Sequence, residues 1–169
     1  DKSQNSHDIL VMPTWRSWLE GASDREFEES DYFRHYAALL NSQRFKDILE
    51  KYDLHANFYL HAIFQAHTES FHIASDRIHL KSFGDTPVNE LLMQCKMLIT
   101  DYSSVCWDVL YQNKPTLFYQ FDLDKYNERY ENIAPENLAK RDDGVKKQKI
   151  GGRNNKKKNF MSKKDKEME

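Results

Sequence analysis

The chain has 169 residues, enough for one domain with an extension, and it lacks any run of about 18 apolar residues that could cross a membrane. Its net charge of −2 conceals an uneven distribution: residues 140–169 hold twelve Lys and Arg against five acids, which leaves 13 basic and 22 acidic side chains in residues 1–139. An acidic body argues against a nucleic-acid partner.

The two cysteines, Cys95 and Cys106, fall within or at the end of predicted helices. We expect them to be small, buried core residues in a reducing compartment rather than members of a disulfide. The sequence shows no basic-then-apolar signal peptide. These features together predict a cytoplasmic protein.

Short apolar runs alternate with segments of helical spacing over residues 8–130, which predicts an α/β fold with a parallel, Rossmann-like sheet and flanking helices. Thr86 and Pro87 have the pattern of a helix start, with a hydroxyl at the N-cap and proline at the first helical position. Residues 21–30 indicate a polar surface connection and residues 65–76 a loop. Strands are predicted at 8–12, 58–64, 77–81, 97–100 and 116–119, and helices at 36–52 (one bent or two in tandem), 87–96, after Ser104 and at 124–130.

Composition divides the chain into a domain at residues 1–130 and a basic C-terminal extension at residues 131–169. The extension has few apolar residues, so it is expected to be solvated and flexible. Alternatively, its lysines and arginines could attract it to an anionic surface, such as the inner face of the plasma membrane.

The fold is organised around residues 97–110, a short buried strand that leads through Asp101, Tyr102, Ser103 and Ser104 into a helix. A strand that leads into a helix at this point leaves backbone N–H groups pointing outward at the carboxyl end of the strand, where α/β sheets bind phosphates. Serine hydroxyls would add donors. The alternative is an ordinary Ser or Asp N-cap with no ligand.

One motif imitates a metal site. Asp122 and Asp124 reproduce the Asp-x-Asp of metal-dependent glycosyltransferases, but paired carboxylates after a strand are commonly solvated. The sequence contains neither a Gly-x-Gly-x-x-Gly nor a Gly-x-x-x-x-Gly-Lys-Ser/Thr motif, which argues against dinucleotide and ATP binding. We expect no metal and no other cofactor.

Four motifs in register resemble the carboxyl-terminal half of the CDP-glycerol glycerophosphotransferases, which make teichoic acid and related capsule backbones. They are the Ile-Leu-Val-Met-Pro-Thr-Trp-Arg run at 9–16, the Leu-Ile-Thr-Asp-Tyr-Ser-Ser-Val run at 98–105 with Asp108, the Lys-Pro pair at 114–115, and the run from Phe118 to Tyr126. The resemblance implies a GT-B architecture, in which two Rossmann-like halves enclose a cleft. This chain would be the half that binds the CDP-activated donor, and the missing N-terminal half would supply the acceptor surface and the catalytic base.

The resemblance also implies which residues bind the donor. Ser103 and Ser104 would hold its diphosphate, Asp108 would hold a donor hydroxyl or orient the serine, and Arg16 would be a phosphate partner. The family strand that corresponds to 58–64 ends in His-Pro and presents its histidine to the diphosphate; here His61 lacks the proline, so a structural, hydrogen-bonded histidine is the alternative. The substrate-binding set is Thr14, Trp15, Arg16, Thr100, Asp101, Tyr102, Ser103, Ser104 and Asp108, and the catalytic candidate in this half is His61.

The predicted function is therefore that of the donor-binding half of a transferase. Such an enzyme moves a polyol phosphate from a CDP-polyol to a hydroxyl of a growing polymer and releases CMP. The half alone is expected to be inactive. Two alternatives stay open: a non-catalytic nucleotide- or phosphate-binding module, and the donor half of another GT-B enzyme that uses a nucleotide sugar.

Overall fold

A computed structural model of the protein describes residues 6–130. The chain divides into two compact units, Asp1–Asp122 and Leu123–Glu169. The first unit contains the sheet, and the described part of the second is one helix. The predicted basic extension at 131–169, with its proposed attraction to a membrane, lies outside the described residues.

Strands and helices alternate as the sequence predicts. The tandem version of the 36–52 helix is confirmed, because the chain breaks at Ser42 between two helices. The strands are β1 Asp8–Val11, β2 His55–Tyr59, β3 Ile78–Lys81, β4 Met97–Thr100 and β5 Thr116–Phe118. The α-helices are α1 Asp24–Glu28, α2 Asp31–Asn41, α3 Gln43–Lys51, α4 Val88–Gln94, α5 Val105–Tyr111 and α6 Leu123–Tyr130, and 3-10 helices occupy Ser17–Leu19 and Ala62–Ser70.

All five strands are parallel, in the order β3-β2-β1-β4-β5. The chain therefore builds outward from β1 on one side through β2 and β3, then crosses back to place β4 on the other side. This order confirms the predicted Rossmann-like sheet. The change of direction creates a topological switch point between β1 and β4, and open α/β sheets bind ligands in the crevice at the carboxyl ends of the strands there.

The sheet is covered on both faces, as parallel sheets require. One apolar cluster packs α1, α2 and α3 against the strands through Phe27, Tyr36 and Leu49, all without exposed surface. The other packs α4 and α5 against the opposite face through Leu91 and Val109. Both cysteines are buried there as free thiols, as predicted.

Several local predictions are wrong, for identifiable reasons. Residues 21–30 contain α1, whose capping box pairs Ser23 with Glu26 and whose Phe27 is fully buried. Strand β2 begins three residues earlier than predicted and ends at Tyr59, because a 3-10 helix starts at Ala62, in a region expected to be strand and loop. Pro87 occupies the N-cap of α4 rather than its first helical position.

Within residues 6–130, no helix is both long enough and apolar enough to cross a bilayer. The longest, α2, has eleven residues.

A buried lysine closes the carboxyl end of α4. Lys114 precedes β5, and its ammonium group donates hydrogen bonds to the carbonyl oxygens of Leu92 at 3.0 Å and Met93 at 2.6 Å. These are carbonyls of the last helical turn, which otherwise lack helical partners. The positive charge also lies at the negative end of the helix dipole.

Replacing Lys114 with Met should therefore lower the free energy of unfolding by about 2 kcal/mol, because two buried carbonyls lose a charged donor while the side-chain volume is kept. Urea denaturation followed by circular dichroism measures the change. Lys96→Met is the matched control, since Lys96 is exposed. Equal stabilities of the two variants would contradict this role of Lys114.

Candidate functional site

The candidate site lies at the carboxyl edge of the sheet, where the loops after β1 and β4 meet. The two strands pair side by side, with Val11 opposite Ile99. Beyond the pairing, the Thr100 hydroxyl donates to the carbonyl of Met12 at 2.7 Å, and the backbone N–H of Thr14 donates to Asp101 Oδ1 at 2.8 Å. The loops that carry most of the predicted site are thus bound directly to each other at the switch point.

A buried arginine joins these loops to the segment after β5. Arg16 has no exposed surface; its Nη2 donates to Asp101 Oδ2 at 2.8 Å, and its Nε donates to Asp122 Oδ2 at 2.8 Å. Its Nη1 donates to the carbonyl of Thr14 at 2.7 Å. Burial by itself would lower the pKa of Arg16, but the hydrogen bond to Asp122 and the charges of both carboxylates outweigh it and raise the pKa.

Asp101 is the second member of this cluster, and four donors saturate its carboxylate. Oδ1 accepts from the backbone N–H groups of Thr14 and Tyr102, at 2.8 and 2.7 Å. Oδ2 accepts from Arg16 and from the hydroxyl of Tyr36 on α2, at 2.8 and 3.0 Å. The single carboxylate therefore fixes the β1 loop, the β4 loop and α2 relative to one another.

These contacts correct the roles predicted for the two side chains. Arg16 was expected to meet a phosphate and Asp101 to belong to the substrate-binding set, but both are fully buried and their polar atoms are already bonded inside the protein. We assign them instead to holding the loops in place. Thr100 is also fully buried and acts in the same way through its bond to Met12.

The two serines after β4 differ from the buried cluster because they face outward. Ser103 is half-buried and Ser104 is exposed. Ser104 stands at the N-cap of α5 with helical backbone angles and makes no side-chain capping bond. The Ser103 hydroxyl accepts only a long bond from the N–H of Val105, at 3.4 Å. Ser104 thus occupies the N-cap position of α5 without the side-chain bond that an ordinary Ser N-cap makes.

The serine loop consequently presents unused donors. Among residues 6–130, the hydroxyl of Ser104 and the backbone N–H groups of Ser103 and Ser104 have no hydrogen-bond partner. Asp108, one turn further along α5, is exposed and makes no hydrogen bond to Ser104 within the described chain. Of the two roles predicted for Asp108, it does not orient the serine. Contact with a hydroxyl of the donor stays a prediction.

The loops after β1 and β2 bring Trp15 and His61 together. Their rings stack with centroids 5.8 Å apart and planes inclined by 25°. His61 is half-buried and its Nδ1 accepts the N–H of Ile63 at 3.4 Å, so the neutral ring carries its proton on Nε2. Burial lowers the pKa of His61 below its ordinary value. The histidine follows β2 at the same edge of the sheet as the serines. It also caps the 3-10 helix Ala62–Ser70 by accepting the N–H of Ile63, which is the hydrogen-bonded structural role given as the alternative in the sequence analysis.

Sequence reasoning missed two residues of the cluster, Tyr36 and Asp122, as contributors to this site. Tyr36 has the spacing of an ordinary apolar helix face, and nothing in the sequence shows that its hydroxyl reaches Asp101. Asp122 was considered as half of an Asp-x-Asp motif and as part of the run from Phe118 to Tyr126, without a role at this site. Its true partner, Arg16, is 106 residues away, and no local signal connects residues so far apart.

The comparisons with known proteins agree with this architecture. The family model described as CDP-Glycerol:Poly(glycerophosphate) glycerophosphotransferase matches residues 2–145. The chain belongs to this family.

Relatives of this glycerophosphotransferase family act in teichoic acid synthesis. The chain is 28% identical over 130 residues to the minor teichoic acid biosynthesis protein GgaB of Bacillus subtilis, covering 72% of this chain and 14% of that protein. It is 31% identical over 142 residues to the teichoic acid poly(ribitol-phosphate) polymerase of Bacillus spizizenii, covering 80% and 21%. The chain thus spans only about a fifth or less of the length of these two relatives.

The fold is shared with a solved structure. A variant of the wall teichoic acid polymerase TagF superposes with a TM-score of 0.50 at 24% identity, over 73% of this chain and 27% of that one. At this identity the likeness concerns the fold.

The buried ion pair should dominate the stability of the site. Asp101→Asn leaves Arg16 with one carboxylate instead of two, and we expect the free energy of unfolding to fall by about 3 kcal/mol, since an amide N–H₂ cannot accept and leaves buried donors, one of them charged, without a partner. Asp108→Asn is the control, because Asp108 is exposed and its loss should change stability by less than about 0.5 kcal/mol. Chemical denaturation of both variants provides the measurement, and a similar effect of both would contradict the assignment.

The state of His61 can be checked by NMR titration. Burial disfavours the charged imidazolium, so the midpoint for His61 should lie below 6.5, and the ring should be neutral with its proton on Nε2 at pH 7. Since the unfolded chain binds this proton more readily, the contribution of His61 to stability should decline as the pH falls below about 6.5. A midpoint above 6.5 would contradict the placement of the ring.

Proposed function

We propose that the first unit binds the CDP-activated polyol donor of a polyol-phosphate transferase, and that the loops after β1, β2 and β4 form its diphosphate site. Family membership supports the general reaction class, and the relatives named above include a ribitol-phosphate polymerase. The observation that carries the assignment to this edge is the set of unused donors at Ser103 and Ser104, held outward at the switch point by a fully bonded buried cluster.

The diphosphate would be bound by neutral donors in these loops. The hydroxyl of Ser104 and the backbone N–H groups of both serines point outward, and the neutral ring of His61 offers its Nε2–H. Arg16 cannot supply a free charge, because its guanidinium is already paired with two carboxylates. We therefore propose that this half of the site works by hydrogen bonding without a metal, and that Trp15 and Asp108 contact the remainder of the donor.

The proposed reaction is a transfer at phosphorus. A hydroxyl oxygen of the polymer acceptor forms a new bond to the phosphorus that carries the polyol, and the bond from that phosphorus to the CMP oxygen breaks. The acceptor proton goes to a base, which we place in the other half of the enzyme, and CMP leaves with the bonding electron pair. Preorganised donors at the diphosphate stabilise the charge that develops on the departing CMP.

Calorimetry with CDP tests the site. Ser104→Ala should weaken CDP binding about tenfold, since a hydrogen bond to a charged phosphate is worth about 1.5 kcal/mol or more. Ser75→Ala is a matched control: Ser75 accepts the N–H two residues ahead, as Ser103 does, but it precedes β3 at the opposite edge of the sheet. No binding of CDP by the wild-type chain, or equal binding by both variants, would refute the proposal.

Catalysis and simple binding can be separated with a chimera. When residues 6–122 replace the matching segment of a full-length teichoic acid polymerase, we expect CMP release from a CDP-polyol that depends on Ser104. Binding of CDP without turnover would favour a non-catalytic nucleotide-binding module. Tighter binding of UDP than CDP would favour a donor half that uses a nucleotide sugar.

A further inference from the structure

The segment that follows β5 holds the loop after β4 through several bonds. The backbone N–H of Tyr119 donates to the carbonyl of Thr100 at 2.7 Å. One residue later, the side-chain amide of Gln120 donates to the carbonyl of Asp101 at 3.1 Å. Beyond it, Asp122 accepts from Arg16 at 2.8 and 3.0 Å through its two oxygens. The segment therefore contacts the backbone and the side chains that lead into the serine loop.

The contact closest to the serines runs through Tyr102. Its hydroxyl donates to Asp122 Oδ1 at 3.1 Å, and its backbone N–H donates to Asp101 Oδ1 at 2.7 Å. Its ring also lies over the guanidinium of Arg16, with the centroid 5.0 Å from Cζ. The residue immediately before Ser103 is thus fixed at its backbone, its ring and its hydroxyl.

The carboxylate of Asp122 is fully engaged in this arrangement. Its side chain is only 8% exposed, and both oxygens accept hydrogen bonds from Arg16 or Tyr102. Asp124, two residues further on, is exposed, and its carboxylate forms no hydrogen bond with another residue of the described chain. The two carboxylates of the Asp-x-Asp motif therefore have different environments: Asp122 is buried and paired with Arg16, so it is not a free metal ligand, whereas Asp124 is exposed.

We propose that Asp122 is a positioning residue that sets the geometry of the serine loop through Arg16 and Tyr102. This inference rests on the proposed function for its effect on the donor, because the loop it positions is the proposed diphosphate site. In this proposal, Asp122 of the apparent metal motif fixes Tyr102 by accepting its hydroxyl hydrogen bond. The unused donors of Ser103 and Ser104 keep their direction only while the bond between Tyr102 and Asp122 is made.

The physical basis is that two nearby carboxylates share one arginine. Asp101 binds the β4 loop at its backbone, and Asp122 binds it at the Tyr102 hydroxyl, so Arg16 keeps both acceptors in register. An amide at position 122 would turn an N–H₂ group toward Arg16 or Tyr102 and would lose at least one acceptor. The loop would stay attached at Thr100 and Asp101, but Tyr102 would lose the bond at its hydroxyl, so the residue before Ser103 could move.

Calorimetry with CDP on the full 169-residue chain provides the first arm of the test. Asp122→Asn and Tyr102→Phe should each weaken CDP binding about fivefold, since the donors of the serine loop lose their alignment. Asp124→Asn should bind CDP as the wild type does. Lys114→Met is a second control, because it should lower stability without touching this loop. Unchanged binding by both Asp122→Asn and Tyr102→Phe would overturn the proposal.

Hydrogen exchange on the ligand-free chain provides the second arm and does not depend on any nucleotide. Exchange at the amide of residue 102, which donates to Asp101 Oδ1 and is therefore protected, should accelerate relative to the strand amides of β4 in Asp122→Asn and in Tyr102→Phe but not in Lys114→Met. Failure of the wild type to bind CDP would refute the proposed function, while this arm would still decide the positioning role. If Asp122→Asn does not fold, Tyr102→Phe decides, because it removes a single hydroxyl. Unchanged exchange there would overturn the inference.

Discussion

The structure depends on one buried guanidinium shared between two carboxylates. Arg16 follows β1, Asp101 follows β4 and Asp122 follows β5, so a single side chain binds three strand ends at the same edge of the sheet. Arginine suits this role because its planar, rigid fork can donate in several fixed directions at once. A lysine at the same position would offer one charge centre and could not keep both carboxylates in register.

Burying such a cluster costs free energy of desolvation, and the cluster stabilises the fold only when all its members are paired. Each ion loses its hydration on burial, and only good geometry with further hydrogen bonds offsets that loss. The further bonds are present here: Asp101 also accepts from Tyr36 and from two backbone N–H groups, and Asp122 also accepts from Tyr102. The charged groups of the cluster are satisfied internally, so the unpaired polar groups at this edge include the donors of the serine loop and the buried hydroxyl of Thr14.

The parallel sheet with its flanking helices could be predicted from the sequence, because it depends on local patterns. The apolar runs of β1 and β4 and the crossovers between strands indicate a parallel sheet, and the polar turn at residues 101–104 marks the edge of the candidate site. The roles of Arg16 and Asp101 could not be predicted in this way. A charged residue in a loop is normally exposed, and only the packing of α2 and the segment after β5 removes water from this pair. The capping box at Ser23 could have been found, since its spacing is visible in the sequence.

The central position of β1 has a consequence for how the site comes into being. Paired residues of β1 and β2 are 47 positions apart in the sequence, whereas those of β1 and β4 are 88 apart, and the β1–β4 crevice needs that second pairing. Contacts between residues so distant in sequence form late, because closing long loops is slow. A nascent or truncated chain that stops before β4 can have half a sheet and no crevice, so the proposed nucleotide binding would report on completed folding and not on secondary structure.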